Sequence, residues 1–146
     1  MDGLHYPVTV ETLSRAWFGA GAAVKYAHRL DHGTSGVLLG AFTAKSAAVA
    51  GKAFETRQTS KVYMAVVAGH VEAQVLEAPV GPLAAGDFRM ACYTPKAKPA
   101  QTTVEVVARC LYLGEPCTKL RLTPHTGRRH QLRVHLRVRP AHTFLT

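Results

Sequence analysis

The sequence predicts an α+β fold in which a mixed, largely antiparallel sheet carries flanking helices. Segments with the composition of strands outnumber those with helical periodicity, and the two kinds do not alternate regularly along the chain. A length of 146 residues is enough to bury one hydrophobic core. We therefore expect a single domain over residues 1–146.

The first half of the chain predicts two helices and one buried strand. The short helix is expected from Thr12 to Phe18, and the apolar segment Val37–Phe42 is expected to form the strand. An alanine-rich helix then follows from about Ala44 to Arg57, with Thr43 as its N-cap. Three residues are expected on its buried face: Val49, Ala53 and Phe54.

The second half of the chain is richer in strands. Lys61–Ala68 reads as a strand with Lys61 and Tyr63 on the same face. Four prolines between positions 79 and 99 predict an irregular connection, with one short strand near Met90–Thr94. The segments Thr102–Leu113 and Thr118–Thr123 should pair as a hairpin.

The charge of the chain favours a polyanionic partner. Eighteen Lys and Arg residues against nine Asp and Glu give a net charge of +9. No acidic residue follows Glu115, whereas seven basic residues do: Lys119, Arg121, Arg128, Arg129, Arg133, Arg137 and Arg139.

Cysteine and histidine usage argues against a disulfide framework or a metal site. The three cysteines form no CxxC pair, which suits a reducing compartment. No HExxH motif occurs, and His130 and His135 are five positions apart, on different faces of a helix. Without a spanning apolar run or a secretory signal, we expect an intracellular protein, cytoplasmic or organellar, that binds no metal or membrane.

The run from His28 to Leu39 contains the most informative acidic residue. Asp31 lies between His28-Arg29 and a Gly/Thr/Ser turn. Neighbouring positive charge and hydrogen-bond donors favour an ionised carboxylate, as a nucleophile or general base requires. An isolated Asp in such a turn more often bonds its own backbone.

A second motif, Thr126–His135, follows about a hundred residues later. Its TGR turn should open a helix near Arg128. The first amides of that helix and its dipole would favour an anion, either a phosphate or a carboxylate.

These two motifs, together with Lys61–Gly69, resemble those of the RluA-type RNA pseudouridine synthases. The family signatures read HRLDxxTSG, KxYxAxVxG and TGRxHQxRVH, and they occur here in the same order. The resemblance implies the pseudouridine synthase fold and the isomerisation of uridine to pseudouridine without a cofactor. It also implies an RNA partner, rRNA or tRNA, and we expect a monomer.

The resemblance assigns the essential carboxylate to Asp31 and leaves open whether it attacks the sugar or acts as a base. Arg133 would pair with that carboxylate. Tyr63 would pack against the target base, and Arg29 would fill the space left by the flipped base. Each also has a simpler interpretation: Tyr63 as a core residue, Arg29 as a phosphate contact or surface ion pair, and Arg133 as part of a basic surface.

Further residues are expected to shape the site or contact RNA. Lys61 shares a strand face with Tyr63, and Leu132 closes an apolar wall or belongs to the core. Arg128 and His130 match the GRxH positions, whereas Arg129 stands where the family usually has Thr. Phosphate contacts are expected from four arginines: Arg128, Arg129, Arg137 and Arg139.

The ends of the chain depart from the family pattern. Only Asp2-Gly3 remains of an NKPxG-like start, and no GxPIxGDxxY-like segment follows His135. We therefore expect a catalytic domain that is incomplete at both ends. The main alternative to the enzyme is a catalytically weak RNA-binding protein that retains the fold. A DNA-binding module has little support, because no helix-turn-helix or zinc-finger pattern occurs.

Overall fold

The computed structural model describes residues 8–137. The expected incompleteness concerns the two ends of the chain, which lie outside the described residues. Arg139 lies outside them as well. The chain divides into two compact units, the first ending at Thr59 and the second beginning at Ser60. The predicted α+β class is confirmed, and every strand pairing among residues 8–137 is antiparallel. The single-domain organisation stays a prediction.

The first unit contains two helices and a small two-stranded sheet. Its elements are α1 (Val10–Phe18), β1 (Lys25–Tyr26), β2 (Gly40–Ala41) and α2 (Ala44–Glu55). Both predicted helices are confirmed. Helix α1 begins two residues before the predicted start because Thr9 is its N-cap and forms a reciprocal capping box with Thr12.

The prediction of a buried strand over Val37–Phe42 is wrong. Only the two residues of β2 pair, with β1, and Val37 is 85% exposed. Gly36 adopts φ +140°, outside the strand region of L-residues, so the chain leaves extended geometry just before this run. Apolar composition alone therefore does not define the strand, because a strand also requires a neighbouring backbone to pair with.

Helix α2 begins after the predicted N-cap, since Thr43 Oγ1 accepts from the Ser46 amide at 3.1 Å. It ends at Glu55, and Arg57 beyond it adopts φ +58°. Its predicted buried face is wrong at Val49, which is 65% exposed. Ala53 and Phe54 on the same face are half-buried.

The second unit is built around a four-stranded antiparallel sheet. Its strands, in spatial order, are β3 (Tyr63–Ala68), β8 (Glu115–Pro124), β7 (Thr102–Tyr112) and β4 (Gln74–Leu76). A separate two-stranded sheet pairs β5 (Val80–Pro82) with β6 (Met90–Cys92), and α3 (Gln131–Arg137) follows β8.

The predicted hairpin is confirmed as β7 and β8. Its two-residue turn consists of Leu113 and Gly114, with φ +52° and +85°. Positive φ at both central residues is the type I′ geometry that suits the twist of a hairpin, and Gly114 adopts it without steric cost. The predicted strand near Met90–Thr94 is confirmed as β6, whereas β4 and β5 were not predicted.

Two apolar clusters hold α3 against the strands. In the larger one, Leu136 packs with buried residues of the four-stranded sheet: Val67, Val104, Leu120 and Leu122. In the smaller one, Val134 packs with Val80 and Ala100, and with the half-buried Met90 and Cys92. Helix α3 is therefore anchored to both sheets of the second unit. Among residues 8–137 no helix has the length and apolar character needed to cross a bilayer.

Candidate active site

Asp31 lies in a loop of the first unit. Hydrogen bonds between Leu39 and the residues Ala27 and His28 join the two ends of this loop. The Ala27 amide donates to the Leu39 carbonyl, and the Leu39 amide donates to Nε2 of His28, each at 3.0 Å. The His28 ring also packs on Phe54 of α2, with ring centroids 4.9 Å apart. These contacts fix both ends of the loop, next to strands β1 and β2.

The turn at Asp31 uses its main chain. The Thr34 amide donates to the Asp31 carbonyl oxygen at 2.9 Å, and Gly33 adopts φ +74° at the third position of the turn. The carboxylate of Asp31 is half-buried at the first position of this turn, and Arg29 two residues earlier is exposed. The turn thus fixes the main chain of Asp31, from which the carboxylate extends.

Tyr63 is the first residue of β3 in the second unit, and Lys61 lies two positions before it, so the strand predicted over Lys61–Ala68 begins two residues late. Strand alternation is confirmed there: Tyr63 is half-buried and packs against the larger apolar cluster, whereas Met64 points outwards. The ammonium of Lys61 lies beside the TGR turn, since a Cβ built on Gly127 would be 3.7 Å from Lys61 Nζ. Two of the three motifs therefore meet in this unit.

The TGR turn does not open a helix at Arg128, contrary to the prediction. Helix α3 begins at Gln131, after His130 with φ +53°. The Gln131 side chain takes the place of a helical turn, because its Oε1 accepts from the Arg128 amide at 3.0 Å and from Thr126 Oγ1 at 2.7 Å. The Arg128 amide is thus bonded to protein, not directed at an anion.

The other end of the Gln131 amide joins a buried polar network. Its Nε2 donates to the Gln101 carbonyl at 3.0 Å and to Thr102 Oγ1 at 2.9 Å. Thr102 Oγ1 lies 2.9 Å from His135 Nδ1, and His135 Nε2 lies 2.8 Å from the carbonyl oxygen of Ala78. The motif therefore bonds to the segments before β5 and at the start of β7.

The partners in this network define the protonation of His135. A carbonyl oxygen only accepts, so Nε2 carries the proton and Nδ1 accepts from the Thr102 hydroxyl. Burial lowers the pKa of His135 below its ordinary value, although the bond to Ala78 opposes this shift. The neutral imidazole is the form that fits.

Thr126, Gln131 and His135 are thus framework residues that fix the position of the others. Arg133, half-buried, lies on α3 between these bonded positions. Leu132 packs against the larger apolar cluster, in agreement with the core interpretation given above.

The three other arginines of this region have different surroundings; Arg128 is half-buried, whereas Arg129 and Arg137 are exposed. Arg128 Nε donates to the Pro99 carbonyl at 3.0 Å, which ties the turn to the segment before β7. The Arg129 guanidinium lies over the Phe88 ring, 4.9 Å from its centroid. Arg137 is exposed at the end of α3.

Sequence reasoning missed the structural roles of three residues that matter here: Thr102, Gln131 and Phe88. The Gln131 position was visible as part of the motif, but its partner Thr102 is 29 positions away. Phe88 lies in the proline-rich connection, where nothing in the sequence indicates contact with Arg129.

The candidate residues are divided between the two units. Arg29 and Asp31 belong to the first, and the second contains Lys61, Tyr63, Arg128, Arg129, His130, Leu132 and Arg133. The pairing of Asp31 with Arg133 joins the units and stays a prediction. Within residues 8–137, no group of three or more His, Cys, Asp or Glu side chains has metal-binding geometry.

Comparison with known proteins gives matches that cover most of the chain. The family model described as RNA pseudouridylate synthase matches residues 10–137. The mouse protein "RNA pseudouridylate synthase domain-containing protein 1" is 39% identical over 119 residues, which are 76% of this chain and 39% of that protein. "Dual-specificity RNA pseudouridine synthase RluA" of Vibrio vulnificus is 38% identical over 122 residues, 77% of this chain and 46% of the relative.

Solved structures give the same result. The human structure "RNA Pseudouridylate Synthase Domain Containing 1" superposes with a TM-score of 0.81 at 29% identity, covering 97% of this chain and 61% of that one. Human "RNA Pseudouridylate Synthase Domain Containing 4" gives 0.73 at 28% identity. The chain thus spans between 39% and 46% of the two curated relatives named above.

Proposed function

Because the chain belongs to the RNA pseudouridylate synthase family, we propose that it isomerises uridine to pseudouridine in a structured RNA. In this reaction the bond between N1 of uracil and C1′ of ribose breaks, the base turns, and C5 bonds to C1′. N1 gains a proton and C5 loses one. The product is therefore an isomer of the substrate, and no oxidant, reductant or cofactor is required.

The proposal assigns the essential carboxylate to Asp31. Attack on C1′ and removal of a proton both require the ionised form. The support is the local backbone, which holds Asp31 at the first position of a tight turn in a loop closed by Leu39. A positioned carboxylate loses little freedom when the substrate binds.

The observation that most supports this function is the buried network around Gln131. It bonds three polar side chains of the third motif within the protein, those of Thr126, Gln131 and His135. Arg133 is thereby presented from a short helix that is bonded at its start and near its end. We propose that its guanidinium pairs with Asp31 and holds that carboxylate ionised and oriented.

Four further residues complete the proposed site. Tyr63 contacts the target base, and Lys61 beside Gly127 adds positive charge to the TGR turn. Arg29 occupies the space that the flipped base leaves in the RNA, which offsets part of the cost of unstacking. Leu132 contributes apolar surface next to Arg133.

The proposed partner is an rRNA or a tRNA, bound by a monomer in a reducing intracellular compartment. The net charge of +9 and the cluster of arginines after Glu115 support a polyanion. The odd set of three cysteines supports the compartment.

A second candidate function is RNA binding with weak or no catalysis. It is favoured by the net charge of +9, which attracts a polyanion whether or not a reaction follows. This candidate keeps the framework and the basic surface but lacks turnover.

Product formation separates the two candidates. The chain is incubated with rRNA and tRNA transcripts, and pseudouridine is detected by carbodiimide-dependent stops of reverse transcription. The enzyme hypothesis expects a stop at a defined uridine that depends on added protein. Bound RNA without any stop on either class of transcript would leave only the binding function.

A further inference from the structure

The hairpin between β5 and β6 carries an exposed aromatic ring beside the third motif. Phe88 is 73% exposed, although moving a phenyl ring out of water into an apolar environment lowers its free energy. It immediately precedes Arg89 and β6 in the proline-rich connection. Phe88 has no role in the catalytic site proposed above, so its exposure requires another explanation.

The backbone that presents Phe88 is well defined. The Leu83 amide donates to the Arg89 carbonyl at 2.9 Å, which extends the β5–β6 ladder towards the tip. The Asp87 amide donates to the Ala84 carbonyl at 3.1 Å, and Gly86 adopts φ +76° in this turn. The tip is therefore a hydrogen-bonded turn.

The residues on either side of Phe88 neutralise each other. The Arg89 guanidinium donates to both carboxylate oxygens of Asp87, from Nε at 3.1 Å and 3.2 Å and from a terminal nitrogen at 2.8 Å. Asp87 Oδ1 also accepts from the Arg89 amide at 2.8 Å. The carboxylate next to the ring is thus paired and repels a phosphate less than a lone carboxylate would.

One face of the ring is covered by a cation from the motif. The Arg129 guanidinium lies 4.9 Å from the Phe88 centroid. Met90 and Cys92 of β6 pack against the smaller apolar cluster, which includes Val134 of α3, so the elements next to Phe88 and Arg129 are packed together. The exposed fraction of Phe88 leaves most of its remaining surface open to a flat ligand.

From this geometry we propose that Phe88 and Arg129 form a stacking shelf for an unpaired base of the RNA substrate. This inference rests on the proposed function. Every nucleobase has a π-face that stacks on an aromatic ring or a guanidinium plane, and recognition of unpaired RNA bases commonly uses both. The shelf selects RNAs that expose an unpaired base near the modified uridine.

The shelf depends on the residue at position 129. The guanidinium of Arg129 supplies both a plane and a positive charge over the ring, whereas a lysine would supply only the charge. Arg129 lies four positions before Arg133, so the shelf adjoins the segment that carries the proposed partner of Asp31. Substrate choice is therefore expected to change with residue 129.

The test uses RNA hairpins in which 2-aminopurine replaces each loop base in turn, and matching hairpins with an abasic loop position. The full chain is compared with Phe88→Ala, Phe88→Leu and Arg129→Lys, and with Tyr112→Ala, which removes another exposed aromatic ring of the same unit. Affinity is measured at several salt concentrations, together with the fluorescence of 2-aminopurine.

The shelf predicts that one loop position changes its fluorescence on binding, and that Phe88→Ala abolishes this change. Phe88→Ala should weaken binding by roughly 5-fold to 150-fold, the range for loss of one stacked base. Phe88→Leu, which keeps apolar volume without a ring, should behave similarly. The salt dependence of the affinity should be the same in the unmodified chain, both Phe88 variants and Arg129→Lys. The hairpin that lacks the stacked base should bind to all four with equal affinity.

Equal affinities of the chain and both Phe88 variants for the intact hairpin would overturn the shelf, as would an equal loss in Tyr112→Ala. The proposal would also be overturned if a protein bound at Phe88 and Arg129 while substitutions there left the RNA affinity unchanged. The measurement needs no turnover. If the chain stacks a loop base but forms no pseudouridine, the proposed shelf is supported and the proposed isomerase function is refuted. If the chain binds no RNA, both proposals are refuted.

Discussion

The hydroxyl of Thr102 lies 2.9 Å from Nδ1 of the buried His135, across 33 positions of sequence. This contact joins the start of β7 to α3, and through Gln131 it also reaches the TGR turn. The buried polar residues Gln131 and His135 of the third motif therefore fix its position against β7 and the TGR turn. Their effect on catalysis is expected to be indirect, through the position of Arg133.

Removal of the Thr102 hydroxyl should destabilise the second unit. Thr102→Val keeps the shape of the side chain but leaves His135 Nδ1 without its donor and Gln131 Nε2 without one acceptor. Each buried group that loses its partner costs about 1–3 kcal/mol. We expect the free energy of unfolding, measured in urea, to fall by about 2 kcal/mol or more.

Thr103→Val is the matched control. Its hydroxyl bonds only the exposed His125, at 2.8 Å. We expect this variant to change stability by less than about 1 kcal/mol. Equal losses in the two variants would show that the buried network has no special importance.

Stability should decrease as the pH falls below about 6.5 because of His135. Its pKa in the folded chain is lower than the ordinary value of 6.5, so the unfolded chain takes up the proton first. Above pH 6.5 both states are neutral at this residue and the effect vanishes. Between 6.5 and the lower folded pKa, each step towards acid favours unfolding.

Urea unfolding at a series of pH values tests this dependence. His135→Gln keeps a donor for the Ala78 carbonyl but does not titrate, so its stability should change less between neutral and acidic pH. His70→Gln, at an exposed position, should retain the original pH dependence. A curve for His135→Gln that is parallel to that of the unmodified chain would contradict the assignment.

Mild oxidation should crosslink Cys110 and Cys117. These residues are directly opposite in the β7–β8 register, with their sulfur atoms 3.0 Å apart. Diamide would take up two electrons and two protons as the thiols form a disulfide. We expect a mass loss of two hydrogens and a fall from three free thiols to one.

This crosslink reports the register of the hairpin. Cys92→Ser should still form it, because Cys92 lies on β6. Cys110→Ser should prevent it. Intermolecular crosslinks alone would contradict the pairing of these two strands.

Replacing Arg129 and Arg137 by Ala should weaken RNA binding across sequences. If each contacts a phosphate of a single strand, the slope of log affinity against log salt should become flatter by roughly 0.7 per lost contact. The control is a double variant of Arg109 and Arg121, which pair with Glu72 and Glu105. Equal slopes in the unmodified chain and the double variant of Arg129 and Arg137 would show that these charges face solvent in the complex.

The extent of successful prediction differed between local and long-range features. Thr43 as an N-cap and Gly114 in a hairpin turn were predictable, because caps and tight turns depend on residues close in sequence. Val37 and Val49 were wrongly placed inside, because burial depends on what packs against an apolar residue.

The same distinction applies to the candidate site. The three motifs were visible, but the start of α3 at Gln131 was not, because a side chain replaces the expected backbone turn. Phe88 was missed because its partner Arg129 is far away in sequence. Asp31 and Arg133 were proposed from the family resemblance, and their pairing stays a prediction.

The central claim is that the carboxylate of Asp31 performs the isomerisation. Asp31→Asn keeps the shape and removes the negative charge, and Glu105→Gln provides the matched control at an exposed carboxylate. Pseudouridine formation and RNA affinity are measured together on the same transcript. We predict that Asp31→Asn loses at least about a hundred-fold in rate at unchanged affinity, while Glu105→Gln stays active. Pseudouridine formation by Asp31→Asn at the rate of the unmodified chain would contradict the claim.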